Sequence, residues 1–125
     1  MRPDIKGLTK LATELRRVKP AQFDMNEWWI EGSCGTSGCI AGWAMKFFPH
    51  RFKKADGVTH DDGTTDYTIK HRRSGYMGSQ AFATGFRISE EDADHITFST
   101  RTNTPKAAAQ AIMMLVGKLR KEVKA

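Results

Sequence analysis

From Cys39 to Phe48 the chain reads Cys-Ile-Ala-Gly-Trp-Ala-Met-Lys-Phe-Phe and then stops at Pro49. Such a stretch is apolar on nearly every side of a helix, and a helix apolar all round must be buried all round. Residues 38–48 are therefore expected to form a central helix around which the rest is arranged. Gly42 within it costs about 1 kcal/mol against Ala in helix propensity. The expected reason for tolerating it is the close approach of a neighbouring element.

The flanking segments supply partners for that helix. Over 5–18, Ile5, Leu8, Leu11, Ala12, Leu15 and Val18 recur at steps of three and four, with Asp4 as N-cap and Pro20 as stop. Residues 21–33 are ambiguous in type. Trp28 and Trp29 cannot both face inward on a strand, so one is expected to pack a helix and the other to lie at the rim. Asp61-Asp62-Gly63 is a turn between strand-favouring residues and predicts a small hairpin over about 58–70. Tyr76 to Thr84 suit a helix ended by Gly85, and Ser89 caps another running to about Phe98. Thr104-Pro105 opens a last helix with Ala108, Ala111, Ile112, Leu115, Leu119 and Val123 on one face. The expected fold class is mostly α (α+β): one compact helical domain, residues 1–125, around the 38–48 helix, with one small β-hairpin.

Composition narrows the function classes. The mean hydropathy is −0.52, and no apolar run approaches the roughly 18 residues of a spanning helix, so no membrane role is expected. The first residues show no secretory signal, and a cytoplasmic location in a bacterial or infected host cell is expected. Two cysteines exclude a disulfide scaffold. Twenty Lys and Arg against fourteen Asp and Glu give a net charge of +6, which favours acidic partners. The surplus is uneven. Arg2, Lys6, Lys10, Arg16, Arg17 and Lys19 face only Asp4 and Glu14, and the Arg101–Lys124 stretch carries six cations against Glu122.

One segment is not explained by packing alone: Cys34-Gly35-Thr36-Ser37-Gly38-Cys39. Read as a loop, its glycines allow φ > 0, Thr36 or Ser37 can cap the following helix, and the first helical amides would bind an anion. The same position would activate Cys39 as a thiolate nucleophile. The simpler reading is a tight capped turn with buried, inert thiols. C-x₄-C lacks the second ligand pair of a zinc site, so no metal and no cofactor is expected.

The order Phe23-Asp24-Met25, then Cys34-Gly35-Thr36-x-x-Cys39-Ile40-Ala41-Gly42-Trp43-Ala44, resembles a family of small uncharacterised bacterial and phage proteins. The likeness spans roughly residues 23–116 and includes Thr84–Ser89 and Thr104-Pro105. It implies a small soluble phage or bacterial protein and no particular activity. A looser likeness to papain-like hydrolases, which open a helix with the nucleophilic Cys and follow it with a His, implies Cys39 as nucleophile and His60 or His71 as base.

Three functions follow as expectations. The first is a non-enzymatic accessory protein holding an anionic ligand, a nucleotide or nucleic-acid phosphate, or else a host protein. Its site would be Cys34, Gly35, Thr36, Ser37, Gly38 and Cys39 with Arg51, Lys53, Lys54, Arg72 and Arg73. The second is a cysteine hydrolase using Cys39 and His60 or His71. The third is a protein–protein interaction domain anchored by Trp28 or Trp29 with Phe52, since aromatics dominate interface hot spots.

Overall fold

The computed structural model describes residues 2–33, 35–98 and 103–124. Helix α1 (Ile5–Leu15) is followed by a 3₁₀ turn at Pro20–Gln22, strands β1 (Trp29–Gly32) and β2 (Gly35–Gly38), and helix α2 (Ile40–Phe47). Strands β3 (Phe52–Thr59) and β4 (Thr65–His71) come next, then helices α3 (Gly78–Phe86), α4 (Glu90–Thr97) and α5 (Pro105–Lys124). The four strands form one antiparallel sheet in the order β2-β1-β4-β3.

That sheet overturns the expected mostly α domain with a single hairpin. The fold is mixed α+β, with 50% helix and 21% strand among the described residues. The physical reason lies in β1 and β2. Gly35-Thr36-Ser37-Gly38 has no apolar alternation, yet it pairs in full with β1, Trp29 opposite Gly38 and Gly32 opposite Gly35. The β3–β4 hairpin is also longer than the expected 58–70. Its strands start pairing at Phe52 and His71, because Phe52, 1% exposed, anchors the basic stretch at 52–55 to the core. A register shift between Ala55 and Val58 follows, with Asp56 in the left-handed region at φ 52, a conformation Asp tolerates better than most side chains.

One face of the sheet carries Trp29, Ile69 and Phe52, all buried, and α2 and α3 pack there. The other face, with Ile30, Asp66, Thr68 and Lys70, stays half-exposed, as antiparallel sheets permit. Helix α2 spans Ile40–Phe47 and is buried from Ile40 through Met45, so the central helix has its expected place. Gly42 shows why glycine is required there. A Cβ would collide with the Trp28 carbonyl oxygen and crowd the Trp29 ring. Trp29 is 4% exposed and meets Trp43 edge-on at 5.0 Å, whereas Trp28 is half-buried against Phe98 at the rim.

Helix α3 runs through Gly85 and ends at Arg87, which itself takes the left-handed cap at φ 56. Gly85 serves a different purpose from the one expected. The Phe52 ring lies where its Cβ would be. The caps of α1, α4 and α5 are as read. Asp4 accepts from the Gly7 amide at 2.9 Å, Ser89 from Asp92 at 3.1 Å and Thr104 from Ala107 at 3.1 Å. Helix α1 packs along α5, and its Leu8, Leu11 and Leu15 are each 0% exposed. Among the described residues no helix is long and apolar enough to cross a membrane.

Candidate functional site

Cys34 lies outside the described residues. Gly35–Gly38 is strand rather than open loop. The Ser37 hydroxyl donates to Glu27 Oε2 at 3.0 Å, and neither it nor Thr36 caps α2. Cys39 is the residue at the cap position, with no side-chain cap bond, and its amide donates to the Glu27 carbonyl at 2.9 Å. Ile40, Ala41 and Gly42 are buried, and the Trp28 carbonyl covers the start of the helix. Of the two glycines in this segment, Gly35, at φ 117, has open space where a Cβ would stand, whereas Gly38 lies against Trp28 and Trp29.

Cys39 is 2% exposed, and its Sγ lies 3.9 Å from the Trp28 carbonyl oxygen. Burial outweighs the nearby amides of Gly42 and Ala41 and pushes the thiol up to about 11. A thiol so placed is protonated at neutral pH, the opposite of an activated nucleophile.

The two histidines belong to other structures. His60 Nε2 pairs with Asp66 Oδ2 at 2.8 Å on the outer part of the β3–β4 hairpin. His71 Nδ1 faces the Ser74 hydroxyl at 2.8 Å and accepts from the Ser74 amide at 3.1 Å. Burial first, then the Arg51 and Arg73 charges, hold the His71 ring below the usual histidine value and favour its neutral form. The Tyr76 amide closes this turn by donating to Ser74 Oγ at 3.1 Å. Neither ring is hydrogen-bonded to Cys39 among the described residues. The described residues also contain no group of three His, Cys, Asp or Glu side chains placed to hold a metal ion.

Three of the five basic residues expected around the loop have structural tasks. Arg51 pairs with Asp4 at 2.6 Å, donates to the Gly85 carbonyl at 3.2 Å and stacks over Phe48 and Phe86. Lys54 pairs with Glu31 at 2.8 Å and lies over the Tyr67 ring at 4.8 Å. The Lys54 hydrogen bond, with one from Trp29 Nε1 at 2.9 Å, draws the Glu31 carboxyl below its ordinary value. Arg72 Nε donates to the Pro49 carbonyl at 2.8 Å. Lys53 and Arg73 are exposed, with no ion pair among the described residues.

The net surplus of positive charge lies elsewhere. Residues 1–19 carry six cations against two acids and residues 103–125 five against one, while residues 20–102 hold nine against eleven. The whole surplus therefore belongs to the segments built around α1 and α5, which pack against each other. Lys6, Lys10, Arg16, Arg17, Lys106, Arg120 and Lys121 are all exposed there. Arg17 pairs loosely with Glu14 at 3.7 Å, and Lys10 lies over the Phe48 ring at 5.2 Å. The sequence displays both basic stretches but carries no signal that they meet, because helix pairing across a hundred residues leaves no local trace.

No protein-family model, curated protein or solved structure matches this chain.

Proposed function

We propose that the protein is a non-enzymatic polyanion-binding domain that holds nucleic-acid phosphates on the basic face of α1 and α5. The observation supporting this is that residues 1–19 and 103–125, the segments around two helices that pack against each other, carry a net +8, against −2 for residues 20–102. From Lys6 to the C-cap residue Arg16, the cations of α1 and its end extend about 15 Å along the helix. That length matches a run of about four phosphates at 3.4 Å each along a strand and exceeds one nucleotide. Exposed Lys and Arg supply the sequence-independent part of nucleic-acid affinity through counterion release. An accessory role in a bacterial or infected cell goes with this reading, as the resemblance to small phage and bacterial proteins implies.

Fluorescence anisotropy with labelled duplex and single-stranded oligonucleotides, across a salt series, is the test. Dissociation constants of roughly 1–100 μM near physiological salt, and a linear fall of log affinity with log salt, are expected. Absence of binding to both forms at low salt would remove the proposal.

A further inference from the structure

A trough of about 1080 Å³ runs between α4 and α5, away from the basic residues of α1. Its floor is Ile96 and Leu115, 3% and 8% exposed, and Ala111 forms part of the α5 wall. At its lips stand Met114, 72% exposed, and Phe98, 59% exposed. Isolated surface apolar residues are ordinary, but these two border one depression whose base is already apolar. Met is also the side chain that best adapts its shape to an apolar partner.

The charge of this trough opposes that of the molecule. Glu91, Asp92 and Asp94 line its α4 side in a chain whose net charge is +6. Asp92 is paired with Lys118 at 2.8 Å, while Glu91 and Asp94 have no ion pair among the described residues. A phosphate-bearing ligand is repelled here. A segment combining apolar anchors with flanking Lys or Arg satisfies both the floor and the rim. From Ala111 to Lys118 the α5 wall measures about 10 Å, two turns of a docked helix with anchors at i, i+3 or i+4, and i+7.

We infer that the α4/α5 trough docks a basic amphipathic helix of a protein partner. A second copy of this chain cannot supply it from α1, one of its two basic amphipathic helices. The apolar side of α1 (Leu8, Leu11 and Leu15) is fully buried in its own core. The inference does not depend on nucleic-acid binding, which uses other residues.

The test uses a labelled synthetic helix of about 18 residues with Leu at the anchor positions and Lys on the flanks, and a twin with Glu in place of Lys. Anisotropy with the full chain should show binding of the Lys peptide, and affinity at least about tenfold weaker for the Glu twin. A comparable tenfold loss is expected in Met114→Lys, the scale of removing an interface anchor. Because Met114 is mostly exposed, that variant should keep its fold, checked by circular dichroism. Equal binding of both peptides, binding indifferent to Met114→Lys, or binding of neither peptide would overturn the inference. So would a concentration-dependent dimer in sedimentation that Met114→Lys abolishes, since the trough would then be a self-interface.

Discussion

Gly42 occupies a position where helix propensity and packing oppose each other. Replacing it by Ala gains about 1 kcal/mol of helix preference, but the added methyl meets a backbone carbonyl oxygen, that of Trp28. A flexible side chain could swing aside, whereas a carbonyl held at the start of β1 cannot move without shifting the strand. Overpacking of this kind typically costs about 1–3 kcal/mol, and contact with backbone places Gly42→Ala toward the upper end. Urea denaturation should give a lower midpoint for the variant with an unchanged slope. A midpoint at or above wild type would show that α2 does not sit this close to β1. The same seat explains Cys39, whose thiol is buried by the close fit of α2 against β1 and stays protonated there. In the sequence, Gly38 suits a ligand loop or a tight capped turn, while Gly42 suggests a close helix contact. Only the Trp29 ring, lying against both glycines, decides for packing.

At the scale of elements, legibility followed hydrophobic period and cap chemistry. Helices α1, α4 and α5 announce themselves through leucine spacing or through Asp4, Ser89 and Thr104, and α2 through a run apolar on nearly every side. Strands β1 and β2 do not, because Gly35–Gly38 owes its pairing to the neighbouring backbone and to the close approach of Trp29. On α5, Met114 lies beside Ala111 and Leu115 in the wall of the trough, a position that core-directed reading passes over. The joint between α1, α3 and β3 is equally invisible locally. Asp4 caps α1, its amide donates to the Phe86 carbonyl at 2.9 Å, and its carboxylate pairs with Arg51 at the head of β3. Burial tends to raise this carboxyl, but the Gly7 amide and Arg51 outweigh it and hold it below the ordinary 3.8. An acid whose folded value is depressed contributes stability that is complete well above 3.8 and is lost as pH falls through the lower folded value. Asp4→Asn keeps an acceptor for the cap and removes the charge. It should cost about 1 kcal/mol at neutral pH, a figure typical of cap and partly exposed pair losses. In urea melts the gap between variant and wild type should close in strong acid. A gap independent of pH would mean that Asp4 acts only as a cap.

For the whole molecule the question is whether net charge or its arrangement governs binding. Two triple variants separate these possibilities. Replacing Lys6, Lys10 and Arg17 by Glu lowers the formal charge from +6 to 0, and so does replacing Lys53, Lys70 and Arg73. The first set is exposed on and beside α1, while the second lies on the β3–β4 hairpin and the turn after it. If the α1/α5 face holds phosphates, the first variant should lose oligonucleotide affinity. The salt dependence of its residual binding should also flatten, the slope falling by about 0.9 for every phosphate of duplex DNA that the variant no longer neutralises. The second variant should keep most of its affinity and nearly the wild-type slope, despite an identical net charge. Because none of the six side chains is buried, thermal unfolding should shift little in either variant, which separates lost binding from lost folding. Equal losses would mean that the protein attracts nucleic acid only as a diffuse positive body, and α1 and α5 would have no interface of their own. Retained affinity in the first variant alone would move the interface to the hairpin, where Lys53 and Arg73 stand exposed.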